Sequence, residues 1–148
     1  MTQHTGRRVY AEIPYVEDLE GYRLGGFHPV HIGDYLRGGR YHIVNKIGFG
    51  CFSTVWLAED TMTEEYVAVS IAQAHHSQSD GGSREIKILQ HLASRDAVDH
   101  PGRSNVLLPL ETFHLVGPNG SHSCIVTPLQ GQSLSMVMKR KLDRKSVV

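Results

Sequence analysis

The sequence predicts an α+β domain, a five-stranded antiparallel sheet with one helix, and three patterns carry that prediction. Apolar residues alternate with period two through most of Tyr41–Ala72. A stripe at helical spacing follows between Ile86 and Ala93. Two further apolar runs then flank the tetrapeptide Gly117-Pro118-Asn119-Gly120.

The elements are justified in chain order. Residues 1–20 are polar, carry Pro14 and an acidic cluster at Glu17, Asp18 and Glu20, and read as a flexible arm. Residues 21–40 hold six glycines and are expected to be irregular. In the first strand Tyr41, Ile43 and Ile47 share one face by period two, with Val44 on the other. Ser53–Ala58 is the second strand, where Val55 and Leu57 alternate with Trp56; Gly48-Phe49-Gly50-Cys51-Phe52 closes the hairpin. The third strand, Tyr66–Ala72, places Val67, Val69 and Ile71 on one face and Ala68 and Ser70 on the other. A helix is expected from Asp80 or Ser83, either of which could cap it, to Ser94–Asp96, with Ile86, Ile88, Leu89, Leu92 and Ala93 apolar. Val106–Phe113 and His122–Leu129 complete the sheet, and Asn119-Gly120 predicts a type I′ turn between them.

The composition, 40% hydrophobic and 20% charged over 148 residues, is that of one soluble globular domain. No apolar run approaches the roughly 18–20 residues of a membrane span, and the N-terminus lacks the apolar segment of a secretory signal. Cys51 and Cys124 are too far apart for a metal-like spacing and read as two reduced thiols of a cytoplasmic or nuclear protein. The ten histidines are scattered, so no metal site is expected. The net charge of zero is a cancellation: residues 41–138 hold five basic and nine acidic side chains, whereas the last ten hold five basic and one acidic.

The chemistry concentrates at Gly48-x-Gly50-x-x-Ser53-x-Val55. Glycines in such a loop let backbone N–H groups approach a phosphate with no side chain in the way. A dinucleotide-binding loop passes from strand to helix; this one joins two strands, which is the protein-kinase arrangement. Val67-Ala68-Val69-Ser70 stands where a kinase has its V-A-I-K strand, and Glu85 where a kinase has the helix carboxylate that pairs with that lysine.

Gly25-Gly26-Phe27-His28-Pro29-Val30, Ile32-Gly33-Asp34 and Gly39-Arg40-Tyr41 lead into Ile47-Gly48-Phe49-Gly50-Cys51-Phe52-Ser53-Thr54-Val55-Trp56-Leu57. Gly117-Pro118-Asn119-Gly120-x-His122-x-Cys124-Ile125-Val126 and Gly131-x-Ser133-Leu134 follow. These stretches resemble the N-lobe of the SR-protein kinases, fungal members above all, over about residues 17–135. The resemblance implies an ATP-binding lobe in which residues 21–40 are a family-specific extension. Ile47, Val55 and Ala68 would sandwich the adenine, and Thr127 would be the gatekeeper. Pro128 through its carbonyl and Gln130 through its N–H would face the adenine edge. The loop Gly48, Phe49, Gly50, Cys51, Phe52 and Ser53 would cover the phosphates, with Ser70 and Glu85 beneath. Plain strand core is the alternative reading of Ile47, Val55 and Ala68, and the two can hold at once. The alternative reading of Phe49 and Phe52 is that they stiffen the tip, and Cys51, with nothing cationic beside it, reads as inert.

Two departures bear on activity. Serine at position 70 has no charge to hold the α/β-phosphates, and no lysine elsewhere is placed to replace it: Lys46 precedes the loop and Lys87 lies on another face of the helix from Glu85. Gly81 and Gly82 also weaken the helix, by about 1 kcal/mol each relative to alanine. The second departure is the lack of H-R-D-x-x-x-x-N, D-F-G and A-P-E segments. Ser94-Arg95-Asp96 imitates the first but has Pro101 where the asparagine belongs. No residue here is therefore expected to hold Mg²⁺ or to act as a catalytic residue, and the C-lobe is expected to be absent.

The expected function is a truncated, inactive kinase lobe, with SR-protein substrates only through the resemblance. The alternative is a pseudokinase-type module that contacts a protein partner through its exposed cleft. The basic run after Ser135 (residues 136–148) reads as an incidental terminus or as a nuclear localisation or nucleic-acid patch, the last disfavoured by the lack of interleaved aromatics. Deleting residues 139–148 is expected to leave the nuclear-to-cytoplasmic distribution unchanged, as fluorescence microscopy of tagged full-length and shortened chains would show.

Overall fold

In a computed structural model the chain is described over residues 16–94 and 101–131. The arm before residue 16, Arg95-Asp96 and the basic tail lie outside the described residues. The strands are β1 (Tyr35–Leu36), β2 (Tyr41–Phe49), β3 (Ser53–Asp60), β4 (Glu65–Ala72), β5 (Glu111–Gly117) and β6 (Gly120–Pro128). Two helices, α1 (Ala74–Gln78) and α2 (Asp80–Ala93), connect β4 to the last hairpin, with a 3₁₀ turn at Pro101–Asn105. The sheet order is β1-β2-β3-β4-β6-β5, with every neighbouring pair antiparallel. The five expected strands are thus present, and the two-residue β1 extends the edge beside β2.

Parity along β4 sets the two faces. Val67, Val69 and Ile71 turn inward with Tyr41, Ile43, Trp56, Ala58, Cys124 and Val126, and all are buried. Burying each of the larger side chains contributes about 1.5–3 kcal/mol. Ala68 and Ser70 point the other way, level with Leu57 and Thr127 and with Val55 and Ile125 respectively. The Cys124 thiol, enclosed in the core, has its pKa pushed up to about 12 by burial and is chemically quiet.

Three details of the hairpins differ from the expectation. In β2, Val44 and Ile47 are unpaired, because Ile43 opposes Ala58 and Asn45 opposes Leu57, and then Lys46 opposes Trp56 and Gly48 opposes Val55. These two bulges break the simple alternation, so Ile47 does not share the buried face of Tyr41 and Ile43 and is 44% exposed. The β5–β6 turn is not type I′: that turn needs positive φ at both central residues, and proline at 118 forbids it. The positive φ falls instead on Gly120, at 130°. Residues 106–110 precede β5 rather than belonging to it.

The helix begins as expected at Asp80, but Ser79 caps it, its hydroxyl accepting from the Gly82 N–H at 3.3 Å. Ile86, Leu89 and Leu92 are half-buried, whereas Ile88 and Ala93 face solvent. One turn earlier, α1 occupies the stretch between the third strand and that helix, to which the sequence pattern assigns no element.

The glycine-rich segment 21–40 backs the buried face of the sheet. Phe27 and Leu36 are buried there and Val30 packs against the core. Backbone bonds tie the segment down: Gly25 N–H to Asn119 O (2.8 Å), Ala74 N–H to Gly26 O (3.0 Å) and Gly33 N–H to Ile43 O (2.8 Å). The Asn119 side-chain amide donates to Phe27 O at 2.6 Å. Gly25 adopts φ +80°, and a Cβ there would collide with the His75 ring, so glycine is required at that seam.

A charged corner closes the far end of β2. Arg40 forks onto Asp60 (2.8 and 3.0 Å) and reaches Glu111 at 3.2 Å, while the Tyr41 hydroxyl donates to Glu111 at 2.6 Å. The Tyr41 bond first, and the arginines second, hold the Glu111 carboxyl below its ordinary range.

Beneath the segment, His28 and His122 lie with ring centroids 5.0 Å apart, and His122 is fully buried with Nδ1 2.9 Å from Ala72 O. Burial lowers the pKa of both rings, and for His28 the neighbouring imidazole lowers it further. Because the unfolded chain protonates first, their contribution is complete above the ordinary value of 6.5 and is lost as pH falls through the depressed values. Urea unfolding across this range should show stability dropping on the acid side by up to about 1.4 kcal/mol per pH unit per histidine. His122→Asn should flatten part of that slope.

Candidate functional site

The β2–β3 tip is a tight closure in which Gly50 N–H bonds Ser53 O at 2.8 Å. Neither Gly48 nor Gly50 has a positive φ, and a Cβ at either would meet only Val55 or Ser53 at 3.9 and 3.8 Å. Nothing inside the fold demands glycine there. What the two glycines leave is open space beside the backbone, which a phosphate approaching main-chain N–H groups needs. Phe52 leans over the tip and stacks on His76 of α1, centroids 4.7 Å apart and planes within 4°, and Gln73 N–H bonds Phe52 O at 2.7 Å.

Under this tip lies a cavity of about 240 Å³ that gathers Cys51, Phe52 and Ser53 from the loop, Ser70 from β4 and Glu85 from α2. The structure therefore brings together five of the fourteen residues singled out from the sequence. Val55 opposes Ser70 directly, Ala68 and Thr127 lie further along the ladders on the same sheet face, and all three are outside the cavity. Ile47, Pro128 and Gln130 are exposed at the margin, and the Gln130 side chain donates to Pro128 O at 3.4 Å. Phe49 and Gly50, with Cys51, line a separate groove of about 560 Å³ against Glu17, Arg23 and Phe27.

His76, Ser77, Gly82 and Ser123 are among the cavity residues that were not anticipated. Ser123 was legible in principle, since it shares the parity of Ile125 and Thr127 on β6. His76 and Ser77 were not, because α1 carries no periodic signal over five residues. Gly82 is buried where α1 meets α2, and a Cβ on it would collide with the His76 carbonyl.

The electrostatics are one-sided. Among the residues lining the cavity Glu85 alone carries a formal charge at neutral pH, with histidine taken as neutral, and no described lysine or arginine pairs with it. Lys46, the nearest basic residue in sequence to the loop, lies on the other face. It opposes Trp56 in the ladder, sits 5.4 Å over the indole ring and bonds the Glu17 carboxylate. Burial would raise the Glu17 pKa, but the bonds from Lys46 and from the Tyr22 hydroxyl (2.5 Å) prevail and hold it below its usual range.

The residues fit ATP in part. The shared face of Val55, Ala68 and Thr127 and the open glycine backbone suit an adenine and an approaching phosphate. The position that needs a fixed cation holds Ser70.

Comparison with known proteins places this arrangement. The chain is 36% identical over 126 residues to serine/threonine-protein kinase SKY1 of Saccharomyces cerevisiae, covering 84% of this chain and 17% of that protein. It is 38% identical over 118 residues to human SRSF protein kinase 3, covering 80% and 20%. To serine/threonine-protein kinase spk-1 of Caenorhabditis elegans it is 39% identical over 135 residues, covering 91% and 13%. It is a homologue of the SR-protein kinases. The chain spans about a fifth or less of the length of these relatives. This SR-protein kinase homologue also shares its fold with a crystallised kinase domain, at a TM-score of 0.62 and 20% identity, over 77% of this chain and 31% of that one. No family model matches the chain.

The packing of Gly82 generates a prediction with a decided sign. Helix propensity alone would make Gly82→Ala stabilising by about 1 kcal/mol. The collision with the His76 carbonyl reverses this, and a loss of about 1–3 kcal/mol is expected from overpacking. The urea midpoint of the variant measures it.

Proposed function

We propose that this chain is the nucleotide-binding lobe of a serine/threonine protein kinase of the SR-protein type, retaining the adenine half of its site and lacking a competent phosphate half. One observation carries the reading: Ser70 and Glu85 line the same cavity, and among the described residues no lysine or arginine lines it with them. In a working kinase a lysine in the strand holds the α/β-phosphates and is itself held by the helix carboxylate. Here the carboxylate stands opposite a hydroxyl, so the triphosphate meets a negative charge where it needs a positive one.

On this reading Val55, Ala68 and Thr127 bind the base, Ile47 closes over it, and the main chain at Pro128 and Gln130 meets its edge. The loop from Gly48 to Ser53 covers the phosphates without fixing them. ATP, when bound, would supply the γ-phosphoryl group. The catalytic base and the magnesium ligands of kinases belong to H-R-D and D-F-G segments that these 148 residues do not contain. Phosphorylation of SR-protein substrates, which the relatives imply, is therefore not performed by the residues of this lobe alone.

A second reading, a non-catalytic module that contacts a protein partner, draws support from the apolar side chains that stand exposed around the site. Ile47, Phe49, Phe52 and Leu129 are each more than two-fifths exposed, and such clusters mark interaction surfaces.

Thermal-shift titration separates these properties, since a ligand that binds only the folded chain raises Tm by mass action. Adenosine and Mg-ATP should raise the Tm of the wild-type chain to a similar extent. Ser70→Lys should favour ATP over adenosine by about tenfold or more, the worth of a hydrogen bond to a charged group, with peptide phosphorylation absent in both proteins. Preferential ATP binding by the wild type, no shift with either ligand, or any turnover would overturn the proposal.

A further inference from the structure

The cavity beneath the glycine loop has a chemistry of its own. Its formal charge is the single carboxylate of Glu85, and its remaining polar lining is mostly hydroxyl: Ser53, Ser70, Ser77 and Ser123. Ser77 is already engaged, donating to Gln73 O at 2.9 Å and accepting from Ser123 N–H at 2.8 Å. Ser123 differs. Its residue is only 5% exposed, and its Oγ has no hydrogen-bond partner. A buried hydroxyl left unpaired costs free energy, and it marks a position where a partner is missing, one that a donor could fill.

The unpaired Ser123 hydroxyl and the position that lacks a cation, Ser70, line the same cavity. A lysine at position 70 would send its stem and ammonium group into this space. Serine supplies only the first side-chain atom beyond Cβ, and the rest of the volume is left to solvent or ligand. We propose that this cavity binds a small primary alkylammonium ion. It completes the side chain that Ser70 lacks.

The fit is specific to that chemical class. A primary ammonium has three N–H donors and no acceptor, matching the Glu85 carboxylate and the Ser70 and Ser123 oxygens. Ala72, Ile86 and Ile125 also line the cavity and give its alkyl stem an apolar wall. A phosphate or carboxylate ligand would oppose Glu85 with no cation to offset it. A quaternary ammonium has the charge but no N–H to give the hydroxyls. Glu85 is solvent-exposed, so the attraction is partly screened and an affinity in the millimolar range is expected for a ligand of four heavy atoms.

The inference rests on the reading of Ser70 as standing in the lysine's place, and the test keeps the two apart. n-Propylammonium chloride is titrated into the isotope-labelled full chain at constant ionic strength, following the backbone amides of Ser70, Gly82 and Ser123 by NMR. Saturable shifts are expected for the wild type. Glu85→Gln should weaken binding about tenfold, the scale of a charge-assisted hydrogen bond. Ser70→Lys should abolish it, because the introduced ammonium fills the space. Tetramethylammonium should produce no saturable shift. The proposal is overturned if the wild type shows none with propylammonium, if Ser70→Lys binds it as well as the wild type, or if tetramethylammonium binds equally. Adenosine is titrated into the wild type in parallel. Propylammonium binding without adenosine binding would remove the nucleotide reading and leave this one standing; the reverse result would remove this one alone.

Discussion

Strand β4 is the constraint on which the rest depends. It lies between β3 and β6, hydrogen-bonded on both edges, and its three inward residues, Val67, Val69 and Ile71, are among the most deeply buried in the chain. A slip of one residue would put Ala68 and Ser70 into the core and those three apolar side chains into solvent. The register is therefore held by the apolar side chains, and position 70 faces the site whatever residue occupies it. That is why the chain can carry serine at the position where kinase chemistry in general calls for lysine without any demand on the fold. The site face and the buried face of this sheet answer to different requirements, and only the second decides whether the chain folds.

The buried face has its own dependency. It is closed by residues 25–36, whose backbone is fastened to the β5–β6 turn, to α1 and to β2. Glycine at 25 gives the close approach at one of these seams, and the charged corner around Arg40, Asp60 and Glu111 pins the other end. Residues 16–20, within the stretch read as an arm, include the buried Glu17 held by Lys46 and Tyr22. The lobe is thus a sheet with two covers, a polypeptide segment on one side and the two helices beside the other.

Much of this was legible in the residues. The alternation in β3 and β4, the approximate extent of α2 and the hairpin near Asn119 follow from period and turn chemistry, and the kinase-like loop follows from glycines placed between two strands. The misreadings share a cause. Each concerns a place where a local feature overrides the periodic or turn signal around it. Ser79 rather than Asp80 caps α2 because the chain turns out of α1 there. The last turn is built by Pro118, whose fixed φ overrides the Asn-Gly signal. Ile47 left its expected face because bulges in β2 change the count. In the site, Ser70 and Glu85 were found through spacing, whereas Ser123, His76 and Ser77 enter the cavity through pairing and through a helix too short to leave a pattern.

The bulge at Val44 has a wider meaning. Uninterrupted alternation from Ile43 would send Lys46 to the face of Val55 and Ser70, beneath the glycine loop, beside a carboxylate that has no basic partner among the described residues. One unpaired residue moves it across the sheet, where it meets Trp56 and Glu17 instead. Whether this lobe has a basic group beneath its glycine loop is thus decided twice, once by what stands at position 70 and once by how many residues precede position 46 in its strand. Direction in a sheet is a matter of counting, so a silent length change in β2 can carry as much chemical consequence as the exchange of a charged side chain.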